Sequence, residues 1–166
     1  MRRRTSVARN ALKGAIAGAV ATWVLDLVTT YMYEHEARPE REREDRARAG
    51  RTAYESAAER LARLLGRELS QEERQRLGVA IHWVLGIGAG VAYGVYGRNI
   101  PAFRRAGGGG FGTAFWAAAD EGMVTLLGLT PPPKAFPWQT HARGLAGHLA
   151  YGVAAEQTLR VLDAVA

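Results

Sequence analysis

Four apolar stretches of this chain each carry an ionisable residue on a helical row of small residues. The ionisable residues are Asp26, His82, Asp120 and His148. Threonine or glycine lies four residues away on the rows of Asp26, His82 and His148, and glycine lies eight residues away on the row of Asp120. A helix that faces hydrocarbon excludes such groups, and a soluble bundle does not need so many glycines. The pattern therefore predicts an all-α integral membrane four-helix bundle with a polar interior.

Charge is partitioned sharply along the 166 residues. The mean hydropathy of -0.16 is low for a membrane protein. Most charged residues, however, lie in residues 1–13 and 34–76, so the apolar residues remain in separate blocks long enough to cross a bilayer. We predict a single membrane domain over residues 1–166. Its predicted spans cover about residues 11–33, 77–97, 108–129 and 141–162.

The segment between the first two predicted spans, residues 34–76, is a charged insert. Residues 34–49 alternate acids and arginines without an apolar period, which predicts a solvated, partly helical linker. From Tyr54 to Leu77, leucine and alanine recur at steps of three and four, which predicts an amphipathic helix folded over the bundle or lying in the headgroup plane. Ser70 and Glu73 have the spacing of a capping box that opens the next helix.

Glycine rows are predicted to pack the helices, because glycines four residues apart let two backbones approach closely in lipid. The run from Gly107 to Gly110 is not followed by Lys-Ser/Thr, so it is no phosphate-binding loop, and a flexible entry to the third span is expected. The glycines predicted to pack helices are Gly14, Gly18, Gly86, Gly90, Gly94, Gly144 and Gly152.

The ionisable residues of the spans are expected to form a buried polar cluster. Because the spans alternate in direction, all but one fall in the half of the membrane near the 34–76 and 130–140 loops. A charge at mid-bilayer costs about 2.5–3.5 kcal/mol on insertion scales, so they should pair. The candidate residues are Asp26, His82, Asp120, Glu121 and His148, with Glu156 in the opposite half.

Such a cluster is compatible with several chemistries. Imidazoles beside carboxylates relay protons, bind cations or respond to pH. Two histidines with a carboxylate can hold a divalent metal, and two histidines on separate helices can ligate haem. Alternatively, the groups only hydrogen-bond across helices and fix the register of the bundle. These residue types do not decide whether a metal is bound, and we predict no cofactor.

Enzymatic activity is not expected. The chain has no GxSxG or HExxH motif and no serine on a predicted span. Asp120 and Glu121 are adjacent, so their side chains diverge by about 100° around a helix and do not face one substrate atom. The absence of cysteine also excludes thiol catalysis and zinc-thiolate sites.

The net charge of +6 is explained by membrane orientation. Five of the positive charges precede the first apolar stretch, which fits a cytoplasmic N-terminus and removes the need for a nucleic-acid partner. The predicted partner is the lipid bilayer, with a homo-oligomer or a membrane complex as further possibilities. The five residues are Arg2, Arg3, Arg4, Arg9 and Lys13.

A set of short motifs in the second half of the chain carries a family resemblance. Residues 128–132 (GLTPP), 137–138 (PW) and 147–148 (GH), preceded by His82 and Tyr93 at similar spacing, make the chain resemble the YagU-like family of bacterial inner-membrane proteins. The resemblance covers about residues 77–160. It implies a multi-span inner-membrane protein with no established biochemical activity, associated with survival in acid.

The resemblance carries over only part of the predicted cluster. His82 and His148 stand at matching positions, whereas Asp120 stands where the prototype of that family has histidine, and the 34–76 insert differs from it. We therefore predict a small inner-membrane protein that handles protons or cations through the cluster, or supports acid tolerance of the envelope. The alternative is a non-catalytic structural or accessory subunit of a membrane complex.

Overall fold

The computed structural model describes residues 2–165, with side chains from Ser6 to Val165, and within that range the chain is helical without strands. The all-α prediction is confirmed. The side chains of Arg2, Arg3 and Arg4, on which part of the orientation argument rests, lie outside the described ones. The α-helices are α1 (Arg2–Glu34), α2 (Arg38–Arg48), α3 (Ala53–Leu64), α4 (Gln71–Val95), α5 (Pro101–Arg104), α6 (Gly109–Trp116), α7 (Val124–Leu126) and α8 (Trp138–Ala164). A π-helical segment, Ala117–Met123, joins α6 to α7, and 3-10 turns lie at Gly97–Asn99, Arg105–Gly108 and Pro133–Ala135.

Four long helical stretches lie over the segments predicted as spans: α1, α4, α8 and the run from α6 to α7. The first of them, α1, packs between α4 and α8, and α6 packs on α8. The order of packing is thus α4, α1, α8, α6, and its two outer helices, α4 and α6, meet through Tyr93 and Phe111, whose stacked rings have centroids 4.4 Å apart. The insert contributes α3, which packs on α4.

Two helices have the length and apolarity needed to cross a membrane. They are α1, from Ser6 to Glu34, and α4, each with a mean hydropathy of 1.5 over its most apolar window. Only 33% and 22% of these windows are buried inside the protein. The core helix of a soluble protein would be mostly buried, so their exposed apolar surfaces are those expected of a membrane protein.

The insert differs from its prediction. It holds α2, α3 and the first residues of α4. The single amphipathic helix predicted from Tyr54 to Leu77 is divided, because α3 ends at Leu64 and α4 begins at Gln71. The face that packs on α4 is small, with Ala58 and Ala62 buried, whereas Leu64 and Leu65 are each 79% exposed. The leucine face therefore does not fold over the bundle as one prediction had it, because alanine permits the closer contact with α4.

Helix ends follow local sequence signals. The predicted capping box is confirmed: the Glu73 amide donates to Ser70 Oγ at 3.2 Å, and the Ser70 amide donates to Glu73 Oε2 at 2.9 Å. At the end of α7, Gly128 has a φ of 62°. The Leu129 amide then reaches back to the Val124 carbonyl at 2.8 Å, closing a Schellman motif before the three prolines.

The predicted glycine rows of α1 and α4 face each other. A Cβ built on Gly14 would lie 2.7 Å from the carbonyl oxygen of Gly90, and one on Gly18 would lie 2.9 Å from that of Gly86. A Cβ on Gly94 would lie 3.0 Å from the Cα of Gly14. Since these neighbours are backbone atoms that cannot rotate away, the two helices touch backbone to backbone.

The glycines of α8 make two different contacts. A Cβ on Gly152 would lie 2.7 Å from the amide nitrogen of Gly112, which is another backbone contact. A Cβ on Gly144 would instead lie 3.1 Å from Trp116 Nε1 and 3.2 Å from Asp120 Oδ2. The run from Gly107 to Gly110, predicted to be a flexible entry, is tightly packed, because a Cβ on Gly108 would overlap the Gly152 backbone.

Candidate functional site: a polar cavity under the insert

A cavity of about 1140 Å³ lies between α1, α4, α8 and the insert. Asp26, His82, Asp120 and His148, all predicted from sequence, line it. They come from four different helical segments, so only the tertiary fold brings them to one space. Exposed residues such as Arg51 and Gln75 form its rim on the side of the insert. The cavity therefore opens toward solvent at that end.

Asp26 and His82 form a direct pair across α1 and α4. The Nε2 atom of His82 lies 2.8 Å from Asp26 Oδ1, and the two side chains are half-buried. A proton between these atoms is shared by an imidazole and a carboxylate, so the pair can hold or release it. Thr22 and Thr29, on the same side of α1, bond the carbonyls of Gly18 and Leu25 in their own helix. Their hydroxyls are thus committed to the backbone.

Asp120 and His148 form a looser pair. The Nδ1 atom of His148 donates to the Gly144 carbonyl at 2.9 Å and lies 3.6 Å from Asp120 Oδ2. The bond to the carbonyl requires a hydrogen on Nδ1, which leaves Nε2 free to accept a proton. His148 is buried whereas Asp120 is partly open to the cavity. This pair is electrostatic and does not form a direct hydrogen bond at that distance.

Tyr54 of α3 lies between the two pairs. Its ring centroid is 4.8 Å from that of His82, and it also lines a second cavity, of about 210 Å³, that adjoins Asp120. Burial, together with the negative charges of Asp120 and Asp26, raises the pKa of the Tyr54 hydroxyl far above its ordinary range. The hydroxyl therefore stays protonated and acts only as a hydrogen-bond donor and acceptor. Nothing in the sequence alone singled out Tyr54.

Glu121 does not join the main cavity. The π segment turns it toward His141, whose Nδ1 lies 2.6 Å from Glu121 Oε1, in the second cavity. The predicted divergence of Asp120 and Glu121 is thus present, with each facing a different histidine of α8. His141 was missed as a site residue, although its position seven residues before His148 puts both on one face of a helix.

Glu156 lies apart, as predicted for the opposite half, and is fully buried. It accepts hydrogen bonds from the Tyr93 hydroxyl at 2.9 Å, Arg160 Nε at 2.8 Å and Arg98 Nε at 3.2 Å. Arg98 also pairs with Asp163 at 2.6 Å. These contacts tie the end of α4 to the end of α8 and close the bundle opposite the cavity.

An unpredicted buried ion cluster fastens the insert to α8. Arg143 donates to both Glu36 and Glu44, and its guanidinium carbon lies 5.0 Å from the ring centroid of Tyr33. Glu44 also pairs with Arg48 at 2.5 Å. Sequence reasoning assigned these acids to a solvated linker, since their alternation with arginines carries no sign of burial.

The electrostatics of Glu44 reflect this cluster. Burial by itself would raise the pKa of the Glu44 carboxyl. The hydrogen bond from Arg143, the charge of Arg48 and the hydrogen bond from Thr140 outweigh it and hold that pKa below its ordinary value. Glu44 is therefore ionised at neutral pH, and the insert is held over the cavity by full charges.

A dedicated metal centre is not evident. Within residues 2–165 no three histidine, aspartate or glutamate side chains converge as a metal site requires. The two histidines of the cavity each contact a carboxylate on another segment. The geometry favours paired titratable groups over a shared ligand set.

The fold and site define an all-helical protein with two helices fit to cross a membrane and a polar cavity beneath a charged insert. Comparison with family models adds that residues 64–157 match the DUF1440 family, described as a protein of unknown function. The match covers more than half of the chain, and the protein belongs to that family. His82, Asp120, Glu121 and His148 lie inside the match, whereas Asp26 and Tyr54 lie outside it. No curated protein and no solved structure matches the chain.

Proposed function

We propose that this protein is an integral membrane protein of four spans that handles protons or small cations in the cavity lined by its two Asp–His pairs. The observation that carries the proposal is the convergence of Asp26, His82, Asp120 and His148, from four helical segments, on one cavity with an open rim. Titratable groups of this kind in an apolar bundle are costly unless they are paired, and they mark proton or ion pathways in membrane proteins.

The spacing of the groups supports a relay of protons. The Asp26–His82 pair can hold a proton between an imidazole and a carboxylate, and His148 beside Asp120 has Nε2 free to accept one. The protonated hydroxyl of Tyr54 lies near both pairs. A proton entering at the rim would then pass between the Asp26 and Asp120 pairs through a group that donates and accepts at once.

Access to the cavity is proposed to be one-sided. On the far side, Tyr151 donates to the Gly86 carbonyl at 2.6 Å, and Phe115 packs on Tyr151 with ring centroids 5.4 Å apart. The ion pairs of Glu156 lie beyond this aromatic layer. Flux would therefore require the bundle to rearrange, and we expect slow, saturable flux and not the rate of an open channel.

Reconstitution into liposomes tests the proposal. We expect the purified protein to dissipate an imposed pH gradient, followed with an internal pH-sensitive dye, and the double variant Asp26→Asn/His148→Ala to fall to the rate of protein-free liposomes. His35→Ala is the matched control, because His35 is exposed, bonds only the Tyr31 carbonyl and does not line the cavity. Equal proton and cation fluxes in the double variant and the parent would remove the proposal.

A structural or accessory role is the second candidate. The specific observation in its favour is an exposed apolar row on α1, with Trp23 at 56%, Leu27 at 51% and Tyr31 at 63%. A partner helix or a second copy could cover this row. In that case the same double variant would impair assembly and leave flux unchanged, and the protein extracted in mild detergent would come as a complex.

The proposal also covers the membrane in which the protein lies and its orientation in that membrane. The resemblance to the YagU-like family favours the bacterial inner membrane and a role in survival in acid. Basic residues near the ends of the helices opposite the cavity, including Lys13, Arg98 and Arg160, favour a cytoplasmic position for that end and for the N-terminus. Reporter fusions at both termini test the orientation. The lipid bilayer is the proposed partner, with neither catalysis nor nucleic-acid binding.

A further inference from the structure

The ring of His141 is held between two hydrogen-bond acceptors. Its Nδ1 lies 2.6 Å from Glu121 Oε1, and its Nε2 lies 3.0 Å from the Pro133 carbonyl oxygen. The acid belongs to the π segment, the carbonyl to the 3-10 turn that begins at the third proline, and the imidazole to the first turn of α8. One side chain therefore joins three parts of the chain.

The two contacts of His141 together require two hydrogens. The Pro133 carbonyl carries no hydrogen, so Nε2 must donate one to it. A second hydrogen must then lie between Nδ1 and Glu121, whether it is bound to the imidazole or to the carboxyl. A neutral histidine beside an ionised carboxylate has only one hydrogen for these two contacts. The observed arrangement is that of the pair with one extra proton.

Losing that proton breaks one contact. If the remaining hydrogen stays on Nε2, the lone pair of Nδ1 faces a carboxylate oxygen at 2.6 Å. If it moves to Nδ1, the lone pair of Nε2 faces the Pro133 carbonyl. Two acceptors in contact repel each other, so His141 must release either the π segment or the proline segment, which we define as residues 130–137.

The proline segment forms a wall of the second cavity. Thr130, Pro131, Pro133 and Phe136 line that cavity together with His141. This segment is tied down by few other contacts, because its internal bonds are local, such as that from Ala135 to the Pro132 carbonyl at 2.9 Å. It is therefore the part that moves when the contact breaks.

Other titratable and charged groups around this cavity have partners of their own. Asp120 lies near His148, Arg48 pairs with Glu44, and Tyr54 is protonated. Lys134, the charged residue within the segment, is exposed. Among the described titratable groups that line the cavity, His141 is the one that hydrogen-bonds the segment, through Nε2 and the Pro133 carbonyl, while its Nδ1 shares a proton with Glu121.

We propose that Glu121 and His141 form a proton-binding site whose proton holds the proline segment against the bundle as a wall of the second cavity. The site is separate from the two Asp–His pairs of the main cavity, and the proposal does not depend on any transport by them.

A spin label on the proline segment tests this directly. The chain has no cysteine, so Lys134→Cys creates a single labelling position. In lipid nanodiscs the label should be immobile at low pH and become mobile as the pH is raised. Because one proton is released, the ratio of mobile to immobile label should rise about tenfold per pH unit around the midpoint.

Two variants in the labelled background separate the site from other causes. In Glu121→Gln the carboxamide can donate to Nδ1 of a neutral histidine, so the label should stay immobile at every pH. In His141→Ala both contacts are absent, so the label should be mobile at every pH. A label at Val161→Cys, 62% exposed at the far end of α8, reports on global unfolding and should not respond to pH.

Three results would overturn the proposal. The first is a label at position 134 whose mobility is independent of pH in the parent. The second is the same transition in Glu121→Gln, which would assign the proton to another group. The third is a parallel transition at position 161, which would show that the whole bundle and not the proline segment responds.

Discussion

Gly90 offers the most demanding test of how α1 and α4 pack. A methyl group at this position would lie 2.4 Å from the Gly18 Cα and 2.5 Å from the Gly14 carbonyl oxygen, whereas ordinary van der Waals contact begins at 3.4 Å. The two helices would have to separate by the difference, 3.4 minus 2.4, or about 1.0 Å. A gap of this size forfeits a quarter to a half of each dispersion contact along the seam.

The change in the free energy of unfolding on Gly90→Ala is the sum of two opposing effects. Overpacking of a well-packed interface costs about 1–3 kcal/mol, and backbone neighbours cannot relieve it by changing rotamer. Alanine in place of glycine in a helix gains about 0.8–1.0 kcal/mol of propensity. Gly88 is the matched control, since a Cβ there meets nothing within 4 Å. Gly88→Ala should stabilise by up to about 1 kcal/mol. The propensity gain is common to both variants, so they should differ by the overpacking cost alone, about 1–3 kcal/mol.

Unfolding of the purified protein in mixed micelles, with added SDS as the denaturant, measures this difference. Near-ultraviolet circular dichroism follows the packing of the aromatic residues, and the midpoint should fall for Gly90→Ala and stay or rise for Gly88→Ala. A double variant with Gly18→Ala should cost less than the sum of its parts, because both methyl groups press on one gap. Equal midpoints for Gly88→Ala and Gly90→Ala would refute direct backbone contact between α1 and α4.

Three further predictions concern the insert and the start of α4. Arg143→Gln leaves Glu36 and Glu44 buried without their cation and should destabilise the protein by about 3–5 kcal/mol in the same unfolding assay. The control is Arg38→Gln, which should cost less than about 1 kcal/mol because the Arg38 side chain is 85% exposed. The folded-state pKa of Glu44 lies below its unfolded value, so the stabilisation by its charge is complete above about pH 4.3 and is lost as the pH falls through the lowered value. Glu44→Gln should therefore reduce the loss of stability between neutral and acid pH, and an unchanged loss would contradict this. Ser70→Ala removes the hydroxyl that accepts from the Glu73 amide and should cost about 1 kcal/mol, seen as faster hydrogen exchange in the first turn of α4 than in the exposed control Gln75→Ala.

Helix positions could be predicted from local signals. Apolar runs of about twenty residues located α1 and α4, the Ser70–Glu73 box located the start of α4, and Gly128 with the following prolines located the end of α7. These features depend on neighbours within one turn of the chain, which is why they can be read without tertiary information.

The insert was harder to predict. Its leucine row fitted an amphipathic helix that covers the bundle, yet α3 buries Ala58 and Ala62 instead, because small residues allow α3 to lie closer to α4. Acids of α2 with a solvated pattern, such as Glu44, are buried by an arginine that lies 99 residues away in the sequence. Neither outcome has a local signature.

The candidate site likewise has features that the sequence determines and features that only the tertiary structure decides. By its residue types and spacing, the sequence determined that Asp26, His82, Asp120 and His148 stand alone in apolar surroundings and must find partners, because an unpaired charge in such surroundings is costly. The tertiary structure decided which partner each one finds. The π segment sends Asp120 toward His148 and Glu121 toward His141, while α3 brings Tyr54 between the pairs. That choice depends on the rotation of each helix about its axis and on contacts between distant segments, which the order of residues along one helix does not contain.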